Sequence, residues 1–169
     1  MDLTETTAPR SDQQNFDDVA TTPRTVTIEE VRPGSAEQPV EIHLVEYPGR
    51  PYKPSKSMRR VLVAAWGADS TKYAGRSIRI YGDPTVKFGG QTTGGIKLSH
   101  LSDIDAPLTV HLTATRGKRA PHTVEPLPSA EQVAASNDPN ALRAMWDVSG
   151  PERRAQIRAR VDELKAADQ

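Results

Sequence analysis

Arg79, Tyr81, Lys87 and Lys97 alternate with apolar residues along three short stretches of this chain. In an extended strand successive side chains point to opposite faces. If Ile78, Ile80, Val86, Phe88, Ile96 and Leu98 face a core, those four polar residues share the other side of a sheet. Cations beside an aromatic on a sheet face suit single-stranded nucleic acid, because cationic groups follow phosphates while a ring stacks on a base. Tyr52, Lys53, Lys56 and Arg59 upstream, and Arg116, Lys118 and Arg119 downstream, would extend such a surface. Aromatic residues make up only 5% of the chain, so phosphate contacts would dominate and binding should weaken with salt.

Other chemistry is less well supported. The stretch VKFGGQTTGGIKLSH, residues 86–100, carries two Gly-Gly pairs. A phosphate-cradling loop would feed a helix and end in Gly-Lys-Ser/Thr, whereas this one runs into IKLSH, which alternates like a strand. A glycine-bearing hairpin, bulged or flexible at its tip, is the reading that fits. His43, His100, His111 and His122 are scattered. In HLSDID, His100, Asp103 and Asp105 form a conceivable metal trio, but the loop context favours turn-stabilising aspartates. No Ser-His-Asp order or glutamate pair stands at a catalytic spacing. No enzyme, metal or cofactor is expected.

The 169 residues have zero formal net charge, unevenly placed. Residues 1–49 hold three Lys/Arg and ten Asp/Glu, a net of −7; residues 50–119 hold thirteen and four, a net of +9; residues 120–169 hold six and eight, a net of −2. The basic middle is an electrostatic footprint for a polyanion. No cysteine is present, so disulfides and thiolate metal sites are excluded. No apolar run reaches membrane-spanning length and no secretory signal pattern is seen, so a cytoplasmic protein is expected.

The elements that must position these residues are legible as patterns. Residues 1–24 are polar and aperiodic, with Phe16 their lone aromatic, and are expected to be a disordered acidic leader able to compete with nucleic acid for the basic surface. In 25–126, alternation predicts strands carrying Val26 and Ile28; Val40, Ile42 and Leu44; Ile78 and Ile80; Val86 and Phe88; Ile96 and Leu98; and Leu108, Val110 and Leu112 on 108–119. One helix interrupts them after the second strand. It is capped by Ser55, stopped by Gly67 and striped with Met58, Val61, Leu62, Ala65 and Trp66. The fold expected is mainly β with helices: an OB-like small β-barrel with one inserted helix, although an OB fold places its helix between the third and fourth strands.

Residues 127–169 read as a helical tail. Ser129 with Gln132 and Ser149 with Glu152 have capping-box spacing, Asp138 precedes Pro139, and Gly150 stops a helix. Leu142, Met145 and Trp146 form one narrow stripe and Ile157, Val161 and Leu164 another. Together they predict a helical hairpin whose apolar side the barrel, a second copy or a partner protein would cover. These six are the candidate partner-binding residues.

The run KPSKSMRRVLVAAWGADSTKYAGRSIRIYGDPTVKFGGQTTGGIKLSH resembles a family of small, mostly uncharacterised proteins of tailed phages and prophages. Their sequences read SM-R-L-AWG, then Y-GR-I-LY-DP-V-FGG, then GGI-IS. The resemblance spans residues 51 to about 126 and takes in TRGKRAPHTVEPL; LRAMWD…PERRAQIRARVDEL resembles a short helical tail that recurs on phage proteins. The company these proteins keep with phage replication and recombination genes implies a DNA-related role in the host cytoplasm. The expected function is therefore a phage single-stranded DNA- or RNA-binding accessory protein. The alternative is a protein–protein module, oligomerising or binding a host protein, without a nucleic-acid role.

Overall fold

The alternation read from the sequence builds a sheet with one dry face. In the computed structural model, which describes residue 3 and residues 11–169, Ile42, Ile78, Ile80, Leu98, Leu101 and Val124 are all fully inaccessible to solvent. The strands are β1 (Arg24–Pro33), β2 (Val40–Leu44), β3 (Tyr47–Tyr52), β4 (Ser77–Asp83), β7 (Gly95–Leu101), β8 (Leu108–Thr115) and β9 (Lys118–Pro126), with β5 (Lys87–Phe88) and β6 (Gln91–Thr92) forming a separate ribbon between β4 and β7. The large sheet has the order β3-β2-β1-β4-β7-β9-β8. Its neighbours are antiparallel except β7 and β9. β3 and β8 are edges, so the sheet does not close into a barrel.

Helix α2 (Lys56–Trp66) follows β3 and packs its buried stripe of Met58, Val61, Leu62 and Trp66 on the sheet. Ser55 caps it, accepting from the Met58 N–H, and Gly67 ends it at φ 88°. Trp66 is tied down twice: its Nε1 donates to the Ser102 carbonyl at 2.9 Å, and its ring meets Tyr73 edge-on at 5.1 Å.

Three expectations change. First, three strands precede the helix, not two. The segment YPGRPY is β3, which tolerates Pro48 and Pro51 because an edge strand need not donate on both sides. Second, the single strand expected over 108–119 is an antiparallel pair turning at Arg116-Gly117, where Gly117 supplies a φ of 79°. Third, the wall built from Val86 and Phe88 is absent: Val86 is half-buried and Phe88 is 82% exposed.

Residues 11–24, expected to belong to a disordered leader, are folded onto the sheet; residues 1, 2 and 4–10 lie outside the described residues. The Gln14 N–H donates to the Pro51 carbonyl on the edge strand β3 at 2.9 Å, and its side chain joins Arg50 and Arg24. Asp18 pairs with Arg50 at 2.8 Å. From helix α1 (Phe16–Val19), Val19 enters the main core at 1% exposure. The Phe16 ring lies so close to Gly82 and Gly94 that a Cβ at either would come within 3 Å of it. Nothing in the polar stretch signals this, because its seat is made by glycines far away in sequence.

The tail forms three helices: α3 (Ala130–Ala135), α4 (Pro139–Val148) and α5 (Pro151–Ala167), with α5 packed on both others. The Ser129–Gln132 capping box is present and Asp138 caps α4. Gly150, expected as a stop, is the N-cap of α5, while the Ser149 hydroxyl turns back to donate to the Met145 carbonyl at 2.6 Å. Leu142 and Ile157 are buried with Val133, and Met145, Trp146, Val161 and Leu164 pack against them. The two stripes thus cover each other.

The seat of Phe16 has a clean test. Gly90 and Gly94 both have left-handed backbone, at φ 81° and 75°, but only Gly94 faces Phe16. An alanine in left-handed backbone costs about 1–2 kcal/mol, and forced contact in a packed site adds about 1–3 kcal/mol. Urea unfolding should show Gly94→Ala more destabilising than Gly90→Ala, with the gap narrowing when Phe16→Ala is added. Equal losses for the two glycines would show that the leader does not sit there.

Candidate nucleic-acid interface

β4 and β7 pair so that Tyr81 stands opposite Lys97, and Arg79 opposite His100. Alternation therefore does bring Arg79, Tyr81 and Lys97 to the side away from Ile78, Ile80 and Leu98. That side is not an open basic face. Arg79 is half-buried and donates from Nη1 to Thr25 Oγ1 at 2.9 Å, while the Thr25 hydroxyl donates to the Val148 carbonyl at the end of α4. Burial, then the nearby Arg154 guanidinium, lower the Arg79 pKa from its ordinary value; Asp147 opposes them. Burial lowers His100 as well, helped by Arg79, and its Nδ1 lies 2.9 Å from Ser99 Oγ. Burial also raises the Tyr81 hydroxyl.

The remaining cations of this region fall into two groups. Lys97 is held by Asp83 at 2.6 Å, Lys53 by Glu41 at 3.3 Å and Arg50 by Asp18 at 2.8 Å. Such partly exposed pairs are worth at most about 1 kcal/mol each, but each presents a neutral pair to an approaching phosphate. Arg59 is half-buried and donates to the Pro54 carbonyl. Lys56, Lys87, Arg116, Lys118 and Arg119 are exposed and make no salt bridge among the described residues. Lys87 is on β5; Arg116, Lys118 and Arg119 are at the β8–β9 turn; Lys56 starts α2, which packs beside β8. Tyr52 belongs to the core at 1% exposure, its hydroxyl donating to the Ile96 carbonyl over a long 3.4 Å and its pKa raised by burial. It presents no ring to a ligand.

Phe88 is the residue the alternation misplaced. β5 and β6 are two residues each and turn at Gly89-Gly90, φ 58° and 81°, both in the left-handed region that tight hairpins need. Lys87 and Phe88 are therefore both in solvent. The signal was present in sequence: four glycines in FGGQTTGG leave too few side chains to continue a wall. Arg60 on α2 and Lys72 after it, both exposed, are two further cations outside the expected set.

Of the other candidates, Leu142, Met145, Trp146, Ile157, Val161 and Leu164 are brought together as the tail's own core. Arg154 and Arg158 lie over the Trp146 ring at 5.1 and 5.3 Å. His100, Asp103 and Asp105 do not converge: among the described residues no three or more His, Cys, Asp or Glu form a metal-holding group. No helix among the described residues is long and apolar enough to cross a membrane.

Asp83 anchors the base of the β5–β6 ribbon, and its acidity reports on that anchor. Lys97 first, then Thr85, hold its pKa down from 3.8 to about 2. A depressed carboxyl contributes stability above its unfolded pKa and loses it as the folded pKa is approached. The melting temperature of the wild type should thus fall faster than that of Asp83→Asn between pH 3.8 and about 2, the two converging at the acid end. Parallel curves across that range would show the Lys97 contact is not made in solution.

Compared with family models, curated proteins and solved structures, the chain matches none.

Proposed function

We propose that the chain is a single-stranded nucleic-acid-binding accessory protein built on an OB-like sheet, and that it grips its ligand through the β5–β6 ribbon. The observation that carries this reading is Phe88, 82% exposed at a Gly-Gly turn with Lys87 beside it. A large ring left in water beside a cation that makes no salt bridge among the described residues can stack on a base while the ammonium meets the adjoining phosphate.

Connectivity supports the OB-like part. β1, β2 and β3 form a meander, α2 joins β3 to β4, β4 returns beside β1, and β7 follows beside β4. An OB fold is a partly open barrel that binds oligonucleotides on its second and third strands and through its first–second and fourth–fifth loops. In that order the β5–β6 ribbon is the fourth–fifth loop. The phage setting, in replication or recombination, rests on the family resemblance over residues 51 to about 126. The alternative, a protein–protein module oligomerising or binding a host protein through the tail, draws less support, since Leu142, Trp146, Ile157 and Val161 belong to one cluster within the tail.

Fluorescence anisotropy with a labelled oligothymidylate at low salt tests this. Stacking is worth about 1–3 kcal/mol per base, so Phe88→Ala should weaken binding at least about fivefold. Lys87→Ala should lower the salt dependence by about 0.7 in log–log slope, as expected for one lost phosphate contact on a single strand. Lys97→Ala and Arg79→Ala should matter little, because both side chains are already engaged. Absence of binding at micromolar protein, or equal binding by Phe88→Ala, would overturn the proposal.

A further inference from the structure

Parallel neighbours enter a sheet from the same end. β7 and β9 are such a pair, so the β5–β6 ribbon that leads into β7 and the β8–β9 turn that leads into β9 leave the sheet together. At about 3.3 Å per residue, Gly95 and Lys118 lie roughly 15–25 Å back from the His100–Glu125 pairing, so the two projections start at similar heights. The strands pair only at His100–Glu125 and Leu101–Pro126. Nearer the shared end the His122 side chain bridges them, its Nε2 2.7 Å from the Leu98 carbonyl, in place of a ladder bond. A ring in that position holds the strands apart and leaves a notch between the ribbon and the β8–β9 arm.

The arm is basic without offset. Residues 108–124 contain no Asp or Glu, and Arg116, Lys118 and Arg119 at its turn are exposed and make no salt bridge among the described residues. Asp103, Asp105 and Glu125 belong to the other end of the arm. Leu112 sits in the core and α2 packs against β8, which fixes the arm's root. The first turn of α2 comes to the same end, because the Tyr52 hydroxyl reaches the Ile96 carbonyl and Met58 Sδ accepts from the Leu98 N–H at 3.3 Å. Lys56, exposed there, adds a cation. Asp17 is exposed on α1, which packs on β4 and β7, and offsets charge at the ribbon's root rather than on the arm. The β2–β3 surface that an OB fold would use is, by contrast, already engaged: Glu41 holds His43 and Lys53, Asp18 holds Arg50, and Gln14 bonds along β3.

Resting on the ribbon reading, we propose that a single strand gripped at Lys87 and Phe88 runs across the notch and onto the β8–β9 arm, where Arg116, Lys118 and Arg119 follow its phosphates. The arm has no Phe, Tyr or Trp, so it contributes charge and no base stacking. The path crosses the ends of β7 and β9 instead of the β2–β3 face, and only a strand long enough to reach both projections uses it fully.

The probes are labelled oligothymidylates of about four and about sixteen nucleotides, the limits of OB-fold site sizes. They are titrated with the full chain, with Phe88→Ala, and with an arm triple variant, Arg116→Ala, Lys118→Ala and Arg119→Ala. A control triple, Lys72→Ala, Arg143→Ala and Lys165→Ala, removes the same charge from exposed positions elsewhere. The arm triple should bind the longer strand at least about tenfold more weakly at low salt, with the log–log salt slope lower by about 2 for three lost phosphate contacts. The shorter strand should bind wild type and arm triple alike, or neither. The control triple should behave as wild type, and unchanged melting temperatures would show that the fold survives. If Phe88→Ala weakens binding but the arm triple does not, this path is overturned and the ribbon reading stands. If only the arm triple weakens binding, the ribbon reading falls and the arm is supported as a phosphate site by itself. Equal losses for the control triple, equal losses on both lengths, or no binding of either strand by the wild type would overturn the arm.

Discussion

A sheet that buries one face must also have its open margin covered, and in this protein β3 and the start of β7, which pairs with β9 only at His100 and Leu101, are left without a ladder between them. β3 is an edge, and what joins it to the start of β7 is the long Tyr52–Ile96 contact rather than a ladder. Residues 14–19 complete the margin. Gln14 hydrogen-bonds along β3, Phe16 lies on Gly82 and Gly94 across the gap, and Val19 fills the core beneath. The acidic leader is consequently a structural part of the sheet from residue 11 onward. Its charge is partly spent there, with Asp18 on Arg50.

The same constraint settles where positive charge remains available. A folded chain with acidic and basic segments side by side pairs them wherever the sheet brings them within reach. The net of +9 over residues 50–119 is therefore not the charge of any one face. Lys53, Lys97 and Arg50 have been neutralised by Glu41, Asp83 and Asp18, two of which come from the acidic first segment. Among the described residues, cations without a salt bridge include Lys87 on a two-residue strand, Arg116, Lys118 and Arg119 at the β8–β9 turn, and Lys56 and Arg60 on the outer side of α2. Hairpin tips and the outer side of α2, not the sheet face, carry that charge.

Local period was legible; partners distant in sequence were not. Every apolar residue assigned to β1, β2, β4, β7, β8 and α2 lies in the core or packs against it, because side-chain direction follows directly from strand and helix geometry. The caps of α2, α3 and α4 were equally local. β3 was missed because its prolines are tolerated only by virtue of being at an edge, which is a property of the whole sheet. The fold of 11–24 was missed because Phe16 is seated on two glycines, Gly82 and Gly94, 66 and 78 residues further along the chain. The basic face was half right: alternation placed Arg79, Tyr81 and Lys97 together, but could not show that Thr25, Asp83 and the end of α4 would occupy them.

The two glycine pairs of VKFGGQTTGG show how one composition serves two physical ends. Gly89-Gly90 makes a turn whose backbone side chains resist, with open space around both residues, and so lifts Lys87 and Phe88 into solvent. Gly94-Gly95 is needed for the absence of a side chain: a Cβ on Gly94 would strike Phe16 and one on Gly95 would strike Val86. The first pair frees the tip while the second locks the base. A hairpin built this way keeps a fixed root on the sheet and holds Lys87 and Phe88 in solvent beyond it.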